Sequence, residues 1–154
     1  MKLLDTDTSI RIIRKNAGFI ENFIRLSPDT VFISIITFHE LYYGALESRN
    51  PPKKLAALND FIRCLTILPF KPSSARHSAT IRESLATKGT PIGPLDTLIA
   101  GHALKHELTL VTRNIREFSR VDGLTLENWS LLQNLPAATA ERHIPWDAAI
   151  AGSC

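Results

Sequence analysis

The stretch Val31-Phe32-Ile33-Ser34-Ile35-Ile36, with Glu40 four residues further on, decides the fold class of this chain. Its β-branched residues favour a buried strand over residues 31–35. The next residues, Thr37-Phe38-His39-Glu40, match a capping box and predict a helix that continues to Leu46. A buried strand that leads directly into a helix is the repeating unit of α/β domains.

Three other segments show the same order, an apolar run or turn followed by an acid or an amide where a helix begins. They are Lys2-Leu3-Leu4-Asp5, Ile92-Gly93-Pro94-Leu95-Asp96, and Leu108-Thr109-Leu110-Val111-Thr112 with Asn114 after it. A further strand is predicted over residues 66–70, and residues 124–126 are a candidate edge strand. This alternation predicts an α/β fold, a three-layer α/β/α domain around a central, mostly parallel sheet of four to five strands.

The bulk properties of the chain are those of one ordinary globular domain. It has 154 residues, of which 44% are hydrophobic and 21% charged, and its formal net charge is +3. We predict a folded domain over residues 1–132 and a C-terminal tail over residues 133–154, where the helical periodicity fades. No apolar run is long enough to span a membrane, and two cysteines make no disulfide framework, so a cytoplasmic location is expected.

The acids and the amide that follow these runs are the candidate functional residues. In a parallel sheet the carboxyl ends of the strands share one edge, which is the usual ligand site. We therefore expect Asp5, Glu40, Asp96 and Asn114 to meet there. Each has an ordinary explanation on its own, since an acid in the first turn of a helix is stabilised by the helix dipole. Asp5 differs from the others, because it ends a buried strand and lies too early for a conventional cap.

Carboxylates brought together without a nearby cation repel one another, and a divalent ion relieves that repulsion. We predict a Mg²⁺ site with Asp5 and Asp96 as direct ligands. Glu40 is expected to act through water or to orient the attacking group. Asn114 is expected to complete the set of residues around the ion, as a neutral ligand or by holding a water. This donor set suits phosphodiester hydrolysis. Arg113 and Arg116 lie beside the predicted site and are candidates for holding the phosphates of a polyanion, although a solvated helix face explains them equally well.

Four motifs in order carry a family resemblance. They are Leu4-Asp5-Thr6-Asp7, then Ile33 to Ala45 around Thr37-Phe38-His39-Glu40-Leu41, then Ile92-Gly93-Pro94-Leu95-Asp96-Thr97-Leu98-Ile99-Ala100, and Leu110-Val111-Thr112-Arg113-Asn114-Ile115-Arg116-Glu117-Phe118. Over residues 1–132 this set resembles the PIN-domain nucleases, and it is most similar to the VapC-type toxins of toxin–antitoxin pairs.

The resemblance implies a Mg²⁺-dependent endoribonuclease, with Mn²⁺ able to substitute, that cleaves structured RNA such as tRNA. It implies a VapB-like antitoxin as partner, and a homodimer that forms a higher assembly with that antitoxin. Asp5 and Asp96 match the metal-binding aspartates of the family, and Glu40 matches its second acid. Many members have Asp where this chain has Asn114, and Asp7 replaces a common Asn. Thr6, Asp7 and Glu117 are therefore supporting candidates, with Asn114 or Glu117 completing the acidic site.

Two other interpretations fit part of the sequence. The segment Asp5-Thr6-Asp7-Thr8-Ser9 resembles the opening of haloacid-dehalogenase-like phosphatases, in which the first aspartate is a nucleophile. A catalytically silent PIN-like module that grips RNA or protein is the second alternative, and Asn114 in place of an acid keeps it open.

Overall fold

A computed structural model of the chain describes residues 1–130. In this part of the chain the strands are β1 Lys2–Leu4, β2 Val31–Ser34, β3 Thr66–Leu68, β4 Thr109–Val111 and β5 Leu126–Glu127. The helices are α1 Thr6–Ile13, α2 Ala17–Ile24, α3 Ile35–Leu46, α4 Pro51–Ile62, α5 Pro72–Thr87, α6 Pro94–Lys105 and α7 Ile115–Phe118, with a 3₁₀ turn at Pro28–Thr30.

The five strands form a single sheet in the order β3-β2-β1-β4-β5, and every neighbouring pair is parallel. The predicted α/β class and parallel sheet are thus confirmed, and the fifth strand exists. The predicted strands end one or two residues too late, and the edge strand lies at Leu126–Glu127 instead of 124–126. The predicted boundary at residue 132 lies outside the described residues.

The predicted start of α3 and the expectation that Asp5 is not a cap are both wrong. The helix α3 begins at Ile35, and its N-cap is Ser34, whose side chain accepts a hydrogen bond from the Ile36 N–H at 3.0 Å. Thr37 is therefore a buried residue of the first turn, and the predicted capping box at Thr37–Glu40 does not start the helix. Asp5 is the N-cap of α1, so its position is a conventional one after all.

The core is divided by the sheet into two apolar clusters. Leu4, Ile33 and Val111 point to the cluster that includes the aromatic side chains of α2 and α4. Leu3 and Leu110 point to the opposite cluster, which is built mainly on α5 and α6. This alternation is the period-two pattern of a strand buried on both faces. No helix within residues 1–130 is long and apolar enough to cross a membrane.

The strand register sets the position of the candidate site. Leu4 is paired with Ile33 on one side and with Val111 on the other. The residues that follow these three, Asp5, Ser34 and Thr112, therefore lie side by side at the carboxyl edge of the sheet. The helices α1 and α3 begin directly at this edge.

Candidate active site

Asp5 is held rigidly at the carboxyl end of β1. Its side chain is only 6% exposed, and its Oδ1 accepts a hydrogen bond from the Thr8 N–H at 2.7 Å. Burial raises the pKa of this carboxyl, the nearby Thr112 and Thr8 groups oppose the rise, and the charge on Asp7 adds to it. Asp5 therefore serves both as a helix cap and as a buried acid that favours a compensating positive charge.

Glu40 is linked to the same turn through Thr6. The Thr6 hydroxyl donates a hydrogen bond to Glu40 Oε2 at 2.5 Å. Thr6 is the first residue of α1, and Glu40 lies in the second turn of α3, so this bond joins the two helices that start at adjacent strands. It fixes one carboxylate oxygen of Glu40 and leaves the other for a ligand.

Asp96, in the first turn of α6, is the acid most affected by its neighbours. Burial raises its pKa to about 6, and the charges of Glu117, Glu40 and Asp5 contribute further. Within residues 1–130 its carboxylate makes no hydrogen bond and no ion pair. A Cβ built on Gly93 would lie 2.9 Å from Asp96 Oδ2, so the glycine leaves the space this carboxylate occupies.

The electrostatic coupling shows which predicted residues the fold brings together. Asp5, Glu40 and Asp96 form one acidic group, and Glu117 joins it as the strongest charged neighbour of Asp96. Asn114 is the N-cap residue of α7, but its side chain makes no capping hydrogen bond. Its backbone N–H donates to Thr112 Oγ1 at 2.9 Å. Glu117 is therefore the residue that contributes negative charge from this side of the group.

A buried polar link connects the helices that carry Glu40 and Asp96. His102 of α6 is fully buried, and its Nδ1 shares a hydrogen bond with Ser34 Oγ at 2.9 Å. Burial lowers the pKa of His102 to about 4, with a contribution from His106, so the ring is neutral at pH 7. The predicted site did not include Ser34, His102 or Thr112. The in-register positions of Ser34 and Thr112 beside Asp5 were the available signal.

The donor set fits a hard divalent cation. Asp96 has no ion pair within residues 1–130, burial and three other acids raise its pKa, and the side chains of this group all offer oxygen atoms as ligands. Residues 1–130 contain no cluster of three or more His, Cys, Asp or Glu side chains at coordination distance. The arrangement suits Mg²⁺, which keeps several waters and needs only one or two direct carboxylates.

The remaining predicted residues lie on the surface around the acidic group. Asp7 is exposed and forms ion pairs with Arg11 and Arg113. Arg116 is exposed on α7 and has no ion pair among the described residues.

A groove of about 230 Å³ begins beside Glu40 and passes between α1, α3 and α4.

Comparison with known proteins identifies the family. The PIN domain model matches residues 2–124. The chain is 42% identical to a tRNA(fMet)-specific endonuclease VapC of Salmonella typhimurium, over 82% of this chain and 96% of that protein. It is 39% identical to Ribonuclease VapC2 of Haemophilus influenzae, with the same coverage.

Solved structures show the same relationship. The VapC-like chain in the crystal structure of DNA-bound VapBC from Salmonella typhimurium matches with a TM-score of 0.79 and 43% identity, covering 83% of this chain and 97% of that one. VapBC-1 from nontypeable Haemophilus influenzae matches with a TM-score of 0.76 and 29% identity, covering 84% and 98%. These matches exclude the phosphatase alternative. The chain belongs to the PIN-domain family and, within it, to the VapC-type endoribonuclease toxins of toxin–antitoxin systems.

Proposed function

We propose that this chain is a Mg²⁺- or Mn²⁺-dependent endoribonuclease that cleaves tRNA, with tRNA(fMet) as its first candidate substrate. The observation that carries the metal requirement is Asp96, a half-buried carboxylate that faces Glu117, Glu40 and Asp5 and whose pKa is raised to about 6. The choice of tRNA(fMet) rests on the 42% identical Salmonella VapC, which is named for that substrate.

The residues that would hold the ion are Asp5 and Asp96, with Glu40 and Glu117 acting on its waters. When bound, the ion supplies positive charge that stabilises a phosphorane-like transition state and lowers the pKa of a bound water. Glu40 would orient the attacking water, and the hydrogen bond from Thr6, which holds one of its oxygens, supports this role. The Ser34–His102 link keeps α3 and α6 in register, and with them Glu40 and Asp96.

Asn114 is proposed as a neutral site residue at the position where the family resemblance leads us to expect an acid. An amide can accept from a water or donate to a phosphate oxygen, and it adds no charge. Glu117 supplies the fourth negative charge from the next turn of the same segment. Arg113 and Arg116 are proposed to bind phosphates outside the acidic group.

A VapB-like antitoxin is the proposed protein partner. The groove beside Glu40 has an apolar floor that includes Ile10, Ile13, Leu41 and Leu58, and Arg14 and Lys54 line its sides. This chemistry suits an apolar segment with acidic residues, which would close the approach to Glu40. The solved VapBC complexes of relatives support the choice of partner.

A homodimer is proposed through the outer face of α3. Ile35, Tyr42, Tyr43 and Leu46 are 39–56% exposed on this helix, and Leu95 at the start of α6 is 38% exposed. Both tyrosines are thus exposed and not packed in the core, whereas Phe61 is buried. An exposed apolar surface of this kind is typical of an interface.

The test is cleavage of purified tRNA(fMet) and of an elongator tRNA by the full chain, in Mg²⁺, in Mn²⁺ and in excess EDTA. We expect cleavage of tRNA(fMet) in either metal and none in EDTA. The matched control for Asp96→Asn is Asp60→Asn, because Asp60 is an exposed acid near the end of α4, which precedes β3 and so lies toward the opposite edge of the sheet. Asp60→Asn should cleave like the unmodified chain.

The outcomes separate the alternatives. Full cleavage in EDTA would overturn the metal mechanism. RNA binding without cleavage in either metal would favour the catalytically silent module. Equal cleavage of both tRNAs would overturn the substrate choice but not the nuclease chemistry.

A further inference from the structure

We propose that Asp7 is a positioning residue, which holds Arg11 and Arg113 as a clamp for the RNA phosphate next to the scissile one. This inference rests on the proposed function and deepens it. Asp7 lies two residues after Asp5, and Arg113 directly precedes Asn114. The clamp therefore stands at the rim of the acidic group, between the β1–α1 and β4–α7 connections.

The geometry of the clamp is set by one carboxylate oxygen. Asp7 Oδ2 accepts a hydrogen bond from Arg11 Nε at 3.0 Å and from Arg113 Nη1 at 3.3 Å. Arg11 is also held by the Phe19 ring, with its guanidinium carbon 5.4 Å from the ring centroid. Arg113 has no other ion pair within residues 1–130, so Asp7 is what fixes its direction.

The clamp has the charge and the free donors that a phosphate needs. Two guanidinium groups around one carboxylate leave one net positive charge at a rim whose interior is acidic. Each guanidinium has five N–H donors, of which the pairs with Asp7 use only one. The side chains are partly exposed, at 29% for Arg11 and 43% for Arg113, so a polyanion can reach them.

An ordinary surface ion pair would stabilise the fold by little, at most about 1 kcal/mol. The arrangement differs from such a pair in joining two separate segments and in leaving both cations with unused donors. A planar guanidinium that is already oriented loses less entropy when it binds a phosphate. The interior carboxylates repel an RNA backbone, and the clamp offsets that repulsion at the nearest phosphate.

The experiment measures RNA affinity and cleavage separately. Binding of fluorescently labelled tRNA(fMet) to the full chain is followed by anisotropy in EDTA at several salt concentrations, with intact RNA verified on a gel. Cleavage is measured in Mg²⁺ as kcat and KM. The variants are Asp7→Asn, Arg113→Gln and the double variant. Asp60→Asn and Arg63→Gln are the charge-matched controls, since Arg63 is exposed at the end of α4.

For Arg113→Gln we expect roughly tenfold weaker binding and a salt dependence that falls by about one phosphate contact. For Asp7→Asn, the direction of the change in RNA affinity distinguishes the two roles of this residue. Removing a negative charge should tighten RNA binding if Asp7 acts only as a charge, whereas loss of the clamp weakens it. We expect weaker binding, a higher KM and a kcat that falls less than KM rises. The double variant should lose less binding than the two single losses added together, because part of the effect of Asp7→Asn acts through Arg113.

Tighter binding by Asp7→Asn would overturn the proposal, as would additive effects in the double variant. A changed dependence of kcat on Mg²⁺ concentration in Asp7→Asn would also overturn it, because Asp7 would then act on the ion. The inference and the proposed function can fail independently. Clamp-dependent binding without cleavage would support the clamp and reject the nuclease function. Normal cleavage with unaltered binding in Arg113→Gln would support the nuclease function and reject the clamp.

Discussion

Asp5 and Asp96 are both predicted metal ligands, yet the two carboxylates differ in burial and in hydrogen bonding. Asp5 is almost fully buried and caps α1 with a 2.7 Å hydrogen bond. Asp96 is half-buried, has no hydrogen-bond partner in residues 1–130, and is surrounded by other acids. The first carboxylate contributes to folding through this cap. The second makes no such contact within residues 1–130, and we expect it to cost stability when no cation is bound.

The largest effect that tests this contrast is on activity. We expect Asp96→Asn to lower kcat by about 10²–10³-fold, the usual loss when one charge-stabilising group is removed from an active site. The variant should remain folded and be at least as stable as the unmodified chain in EDTA, because it removes repulsion from Glu117, Glu40 and Asp5. Cleavage assays and urea titration measure the two quantities.

A less stable Asp96→Asn variant in EDTA would break the contrast, since Asp96 would then have a stabilising partner. Asp60→Asn controls for the loss of one charge at an exposed site.

The next effect is on folding. Asp5→Ala removes the cap and leaves the Thr8 N–H buried without a partner, which should lower the free energy of unfolding by about 1–2 kcal/mol. Asp5→Asn keeps a cap acceptor and should lose activity with a much smaller change in stability. Urea titration of both variants in EDTA checks this. Equal loss of stability in the two variants would mean that the cap is not what Asp5 contributes.

The smallest effect is on the pH dependence of stability. The pKa of Asp96 is raised to about 6 from 3.8, so the native state binds the proton more tightly than the unfolded chain. The associated stability is present below pH 3.8 and is lost as the pH rises through about 6. After discounting for solvent screening, the loss is about 1 kcal/mol.

Asp96→Asn cannot titrate, so its stability relative to the unmodified chain should increase between pH 4 and pH 7 in EDTA. Thermal unfolding across this range measures the difference, and saturating Mg²⁺ should remove or reverse it. A difference that stays constant with pH would show that neither burial nor the neighbouring acids raise the pKa of Asp96.

The strands and the parallel sheet were predictable because continuous apolar runs report burial directly. Leu3-Leu4, Val31-Phe32-Ile33 and Leu110-Val111 alternate between two core clusters, which requires a sheet covered on both faces. The approach of Asp5, Glu40 and Asp96 was predictable for the same reason, because parallel strands place their carboxyl ends at one edge.

The start of α3 was not predictable from local sequence. Ser34 lies within an apolar run and was predicted only as a strand residue, whereas in the structure it ends β2 and is also the N-cap of α3 and the partner of His102. That choice depends on a residue 68 positions further on. The segment Thr37-Phe38-His39-Glu40 has the sequence pattern of a capping box, but Glu40 instead accepts a hydrogen bond from Thr6 on another helix. Glu117 likewise became an evident neighbour of Asp96 only when α6 and α7 were in place.

The Ser34–His102 contact has a consequence for ion selection. Because it ties the start of α3 to the body of α6 inside the core, the gap across which Glu40 and Asp96 face each other is determined by side-chain packing. Under the proposed metal-dependent mechanism, an arriving ion would meet two carboxylates whose helices are joined before it binds. Discrimination between small and large divalent ions would then depend on the protein interior, several residues away from any oxygen that touches the ion.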